Sequence, residues 1–153
     1  MGNFGTDYQR RAVVALAGLF ANRPAENMSV RAVADDTGAP LDSRHRYRLR
    51  LPAHMPVDAF WSLSVYAVEP DGRQFFADNP LHRFAIGDRT PGLRRDAAGG
   101  LAILIQHAAP AADQQPNWLP IPDAPFHLGL RNYQPRAELL DGRFRYPAIE
   151  RLD

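Results

Sequence analysis

Residues 45–51 alternate between large apolar and charged side chains, and this period of two restricts the fold more than any other feature. Tyr47, Leu49 and Leu51 share one parity; Arg44, Arg46, Arg48 and Arg50 share the other. A strand turns successive side chains to opposite faces, whereas a helix would scatter both sets around its axis. The segment is therefore a strand with one face on a core. Residues 60–66 repeat the pattern with aromatic and β-branched residues, which suit a pleated surface. Trp61, Leu63 and Val65 fall on one face, and Phe60, Ser62, Ser64 and Tyr66 on the other.

Further strands are expected at residues 28–33, 74–77, 83–86, 101–107 and 126–133. The run 101–107 is almost continuously apolar and is expected to be buried on both faces. Turn signals recur between these segments, as at residues 35–38 (Asp-Asp-Thr-Gly) and 97–100, at the spacing an all-β sandwich needs. Residues 110–125 contain Pro110, Pro116, Pro120, Pro122 and Pro125. Proline cannot donate to a ladder, so this stretch is excluded from a central strand and reads as a stiff loop anchored by Trp118. Ahead of the strands, residues 6–21 read as one helix. Thr6 and Gln9 form a capping-box pattern. Val13, Leu16, Leu19 and Phe20 make a stripe expected to lie on a sheet, and Asn22 and Pro24 end it. The expectation is one domain over residues 1–153: a helix at 6–21, a sandwich of six to eight strands at 27–135, and an extension at 136–153.

Composition narrows the chemistry. With 153 residues the chain can bury a real core. The net charge of +1 gives no strong global field toward nucleic acid or an anionic membrane. No apolar run reaches about 18 residues, so no membrane span is expected. The N-terminus lacks the pattern of a secretory signal, which points to the cytoplasm or to an excised piece of a longer protein. Cysteine is absent, which removes thiol nucleophiles, disulfides and Cys-ligated metals. All 18 basic residues are arginine, which removes Schiff-base chemistry and the lysine of a phosphate-binding loop.

Among motifs, the row Arg44, Arg46, Arg48 and Arg50 could grip phosphates, but no aromatic platform is interleaved with it. The plainer reading is a solvated face paired with carboxylates of a neighbouring strand. His45, His82, His107 and His127 show no metal-ligand spacing, so no metal site is expected. Ser29, Ser43, Ser62 and Ser64 stand in no nucleophile motif. The four Glu suggest no catalytic pair. No glycine-rich phosphate loop is present, and no cofactor is expected. Asn27-Met28-Ser29 matches a glycosylation sequon, a match common by chance. Two turn-like clusters, 79–83 and 86–90, concentrate polar groups, and Asn79 and Asp88 suit local caps. Arg131 sits inside an otherwise apolar strand and needs a partner if buried, with Asp88 the expected one.

The chain also shows LDSRHRYRL, VDAFWSLSVY, FFADNPLHRFAIGDRTPGL, LAILIQHAAP and NWLPIPDAPFHLGLRNYQP in this order, behind DYQRRAVVALAGLFANRP. This order resembles the bacterial family called domain of unknown function 1214 (DUF1214), which often lies C-terminal to a second family, DUF1254. The resemblance implies a jelly-roll-like antiparallel β-sandwich and no particular reaction. It also implies departures at Leu41-Asp42-Ser43, where relatives carry LDG, at Ala98-Gly99-Gly100, where they carry DGS, and at Gln134, where Trp is frequent.

Three functions follow as expectations. The first is a non-catalytic module that binds a partner, either another copy of itself in a homo-oligomer or a domain of the DUF1254 type. The second is a small-molecule or carbohydrate pocket, hydrolytic in one version, built from Arg83, Asp88, His107, Asn117, Trp118 and Arg131. The third, anion or nucleic-acid binding along the arginine row, ranks last, and no nucleic acid is expected as a partner.

Overall fold

The structure, a computed structural model, describes residues 2–18 and 21–153. The elements are α1 (Tyr8–Ala17), β1 (Asn27–Ala32), β2 (Tyr47–Leu51), β3 (Val57–Val68), β4 (Gln74–Phe76), β5 (Ala85–Gly87), β6 (Leu101–Gln106), a 3₁₀ turn (Gln115–Asn117), β7 (Trp118–Pro120), β8 (Phe126–Pro135), α2 (Ala137–Leu140) and β9 (Ile149–Arg151). The larger sheet has the order β1-β8-β3, with β4 and β5 both on the far side of β3. The smaller has the order β7-β6-β2-β9.

The two sheets share one core, to which β2 gives Tyr47, Leu49 and Leu51, β3 gives Trp61, Leu63 and Val65, and β8 gives Leu128 and Leu130. Those are the parities read from the alternation, because only one face of each strand can escape water. Tyr47, fully buried, satisfies its hydroxyl locally: it accepts from the Asp42 amide at 2.8 Å and donates to the Asp42 carbonyl at 3.2 Å.

Several expectations are corrected. The sandwich is not wholly antiparallel, since β7 runs parallel to β6. β7 lies in the proline-rich segment and occupies a sheet edge, where the missing amide of Pro120 leaves no ladder bond unmade. Residues 136–153 are not a mere extension, because β9 completes the smaller sheet by pairing with β2. In β6 only Leu101, Ile103 and Ile105 are deeply buried together in the core, while Ala102 and Leu104 are half-buried on the other face and His107 is exposed.

The helix is capped by Asp7, whose carboxylate accepts from the Arg10 amide at 2.9 Å, not by Thr6. Val13 and Leu16 are exposed, Leu16 at 92%, so they bury no stripe on a sheet. Helical spacing instead puts Arg11, Val14 and Gly18 on one face, where they line a groove with Phe4, and leaves Val13 and Leu16 opposite. Leu19 and Phe20 lie outside the described residues. Among the described residues no helix is long and apolar enough to cross a membrane.

Candidate functional site

Strand register builds a site on the outward face of the larger sheet. Four rows run across it from β1 through β8 to β3 and beyond. The first aligns Asn27, Tyr133 and Phe60. The second aligns Ser29, Arg131, Ser62 and Gly87. The third aligns Arg31, Gly129, Ser64 and Ala85. The fourth aligns His127, Tyr66 and Phe76. The third row is small at its centre, where Gly129 and Ser64 lie between Arg131 on one side and His127 and Tyr66 on the other, so the face is hollowed over Gly129.

The recess measures about 260 Å³ and is lined by Ser29, Val30, Arg31, Tyr66, Gln74, His127, Gly129 and Arg131. Gly129 supplies space rather than conformational freedom, since its φ lies outside the left-handed region; a Cβ there would stand 3.3 Å from Tyr66 Cε2 and 3.8 Å from Arg131 Nη1.

Aromatic rings wall one side. Tyr66 stacks on Phe76 at 5.0 Å and on His127 at 5.1 Å. The Arg131 guanidinium lies 5.4 Å from the centre of the Tyr66 ring, and its Nη1 is 3.5 Å from Ser64 Oγ. His127 is 5% exposed, and its Nδ1 has no hydrogen-bond partner among the described residues. Burial, and then the nearby Arg31 and Arg131 cations, push the imidazole's pKa down from its ordinary value, so it stands neutral at pH 7. Among the described residues neither Arg31 nor Arg131 forms an ion pair, and no carboxylate lines the recess.

Of the six residues named from the sequence, Arg131 alone lines this recess. It does not meet Asp88: β3 lies between β5 and β8, and two strand spacings, roughly 10 Å, separate their backbones. Asp88 is exposed in the turn after β5. Arg83 serves the backbone instead, with Nη1 donating to the carbonyls of Gln115, Pro116 and Trp118 at 2.9, 3.3 and 2.9 Å. Asn117 accepts from the Arg94 amide at 2.8 Å and donates to the carbonyls of Arg94 and Ala102 at 2.6 and 3.0 Å. Trp118 is buried and donates its indole N–H to the Gln106 carbonyl at 2.8 Å, so it offers no stacking face. His107 sits with Nδ1 3.0 Å from the Ile121 carbonyl. Asn79 accepts from the amides of Leu81 and Arg83, a local cap.

The arginine row is neutralised within the chain. Arg44 pairs with Asp42, Arg46 with Asp153, and Arg48 and Arg50 both with Glu150. These hydrogen bonds hold the carboxyls of Asp42, Glu150 and Asp153 below the usual carboxylate range. The four histidines do not converge: His45 faces Asp153, His82 faces Asp78, and His107 and His127 stand elsewhere. Among the described residues no group of three or more His, Asp or Glu could hold a metal ion.

Sequence reading missed Ser29, Arg31, Tyr66, Gln74 and Gly129 as site residues, and it named His127 only as a potential metal ligand. Shared parity on β3 and β8 was the available signal.

Comparison with known proteins supports the fold. The crystal structure of the VPA0106 protein from Vibrio parahaemolyticus superposes with a TM-score of 0.77 at 28% identity, over 91% of this chain and 34% of that one. The crystal structure of a putative uncharacterized protein from Burkholderia cenocepacia gives a TM-score of 0.52 at 21% identity, over 87% and 31%. The chain thus spans about a third of the length of each. No curated protein matches it. Residues 26–137 match the family model described as "Protein of unknown function (DUF1214)", and the chain belongs to that family.

Proposed function

We propose that the chain is a non-catalytic binding module that takes a small ligand in the recess over Gly129. The observation that carries this reading is the recess itself: a hollow lined by the neutral imidazole of His127 and by two arginines that form no ion pair among the described residues. Polar groups gathered around a partly apolar hollow are how small-ligand sites are built, and a ligand would engage the guanidinium groups that no carboxylate of the described chain engages. Binding is favoured over chemistry because the Ser64 hydroxyl is held by Arg131 rather than by the imidazole, so no base is joined to a nucleophile. Thermal unfolding against a panel of small acids, amines, sugars and neutral aromatics tests the reading. At least one class should raise the midpoint of the chain and leave Gly129→Val, which fills the recess, unmoved. No rise with any class would defeat it.

A second reading has its own support. Leu16 and Val13 are exposed on α1, and the structures this chain resembles are about three times its length. That favours docking of α1 on a further domain, the DUF1254 type among them, or on a second copy. Light scattering of the chain alone and with such a domain distinguishes the two. The order β1-β8-β3-β5 beside the pair β2-β6 supports a jelly-roll origin for the sandwich.

A further inference from the structure

We propose that the recess over Gly129 binds a small carboxylate with a flat apolar body, its carboxylate held by Arg31, Arg131 and His127 and its body lying along Tyr66. This rests on the reading of the recess as a ligand site and names the ligand class.

Sign comes first. Both charged groups that line the recess are cations, Arg31 from β1 and Arg131 from β8. The register sets them on adjacent strands, one row apart on the same face. Like charges so placed oppose each other, and an anion between them reverses that term. Around them stand groups able to donate: the Ser64 hydroxyl, the Gln74 amide and the imidazole. His127 lines the recess, and a ring N–H of its imidazole would donate to a carboxylate oxygen.

Size and shape come next. At about 260 Å³ the recess falls just below the usual range of roughly 300–1,000 Å³ for ligand pockets, which suits a small acid rather than a nucleotide. Its remaining surface is flat: the backbone of Val30 and Gly129 and the Tyr66 ring. A compact inorganic anion would leave that surface unused. A planar acid would cover it while a guanidinium met its carboxylate in a two-pronged arrangement.

Benzoate tests this, with benzamide as its uncharged counterpart and inorganic phosphate as a compact anion. Amide NMR titration of the chain reads the shifts of Gly129 and its neighbours. Benzoate should shift them with saturation, and benzamide and phosphate should not. Arg131→Gln and the more exposed Arg31→Gln should each weaken benzoate at least about tenfold, the loss expected of a charge-assisted hydrogen bond. If one variant fails to fold, the other carries the test. Equal binding of benzamide would overturn the anionic class, and binding of phosphate in place of benzoate would overturn the carboxylate, while either leaves the recess as a ligand site. Silence from all three probes would overturn the carboxylate proposal. If the wider panel is silent too, the ligand site falls with it.

Discussion

His127 stacks on Tyr66 with their planes 14° apart and their centres 5.1 Å apart. That ring covers one face of the imidazole, while Arg31 on β1 and Arg131 on β8 act on it from their own strands and β4 contributes only the uncharged Gln74. Burial first, and then the two cations, set its pKa below the ordinary value. The unfolded chain binds a proton there near pH 6.5, so below that pH the unfolded state holds more protons than the folded one. The stability contributed by His127 is complete above about pH 6.5 and is lost as pH falls through the lower folded value. The urea midpoint should therefore begin to fall below about pH 6.5, and His127→Gln should remove that first part of the fall. The depressed carboxyls of Asp35, Asp42, Asp141, Glu150 and Asp153 act below about pH 5, so the His127 part of the fall comes first. A midpoint that stays flat between about pH 6.5 and 5 would contradict this account of His127.

The same proton should report on a ligand. A carboxylate between Arg31 and Arg131 offsets the positive field on His127 and favours the imidazolium. Binding then takes up a proton, so the affinity for benzoate should rise as pH falls from about 7 to 5.5. In His127→Gln the rise should vanish while binding at pH 7 persists. Affinity that falls over this range would show that the imidazole does not face the bound carboxylate.

Arg83 joins the two sheets. It stands just before β5 in the larger sheet, and its guanidinium gathers three carbonyls at the start of β7 in the smaller one. Two of those carbonyls, of Gln115 and Pro116, belong to the first two residues of the 3₁₀ turn. Arg83→Met keeps the stem but removes all three bonds, the Gln115 carbonyl keeping the Trp118 amide as donor, and it should cost about 2 kcal/mol in urea denaturation. Arg83→Lys should recover only part, because the lysine Nζ stops one bond short of Nη1, the single nitrogen that makes all three contacts. A loss below about 0.5 kcal/mol, the level of an ordinary surface change, would mean that these bonds do not join the sheets.

How much of this was legible depended on where water enforces a pattern. The alternation at Tyr47, Leu49 and Leu51, and at Trp61, Leu63 and Val65, gave strand and face correctly, because those faces are buried. β9 carried no such signal: in three residues, only Ile149 is deeply buried. β7 was hidden by its prolines, which exclude a central strand but not an edge. For the site, parity already placed Ser64 and Tyr66 on one face. Which rows meet depends on the pairing of β1, β3 and β8, and sequence leaves that pairing free. Arg83, Asn117 and Trp118 stood out as polar or aromatic residues in loops, yet their partners are backbone carbonyls and an amide that only the folded path of the chain brings near.

Asn117 shows how such a residue can be tested against a binding role. Its amide is the hub between the loop at Arg94 and the strand at Ala102: one acceptor and two donor bonds, all to backbone. Asn117→Ala should destabilise by about 1–3 kcal/mol, since partly buried backbone groups lose their partners. Asn117→Asp should be worse near pH 7. The carboxylate keeps the bond from the Arg94 amide but faces the carbonyls of Arg94 and Ala102 with oxygen, which cannot donate to either. Protonation restores one donor, so the Asp variant should recover relative to the Ala variant as pH falls through the carboxylate range. Urea denaturation of both variants between pH 7 and 4 reads this. A residue kept for a ligand would show the opposite pattern, with stability indifferent to Asn117→Asp and only binding lost.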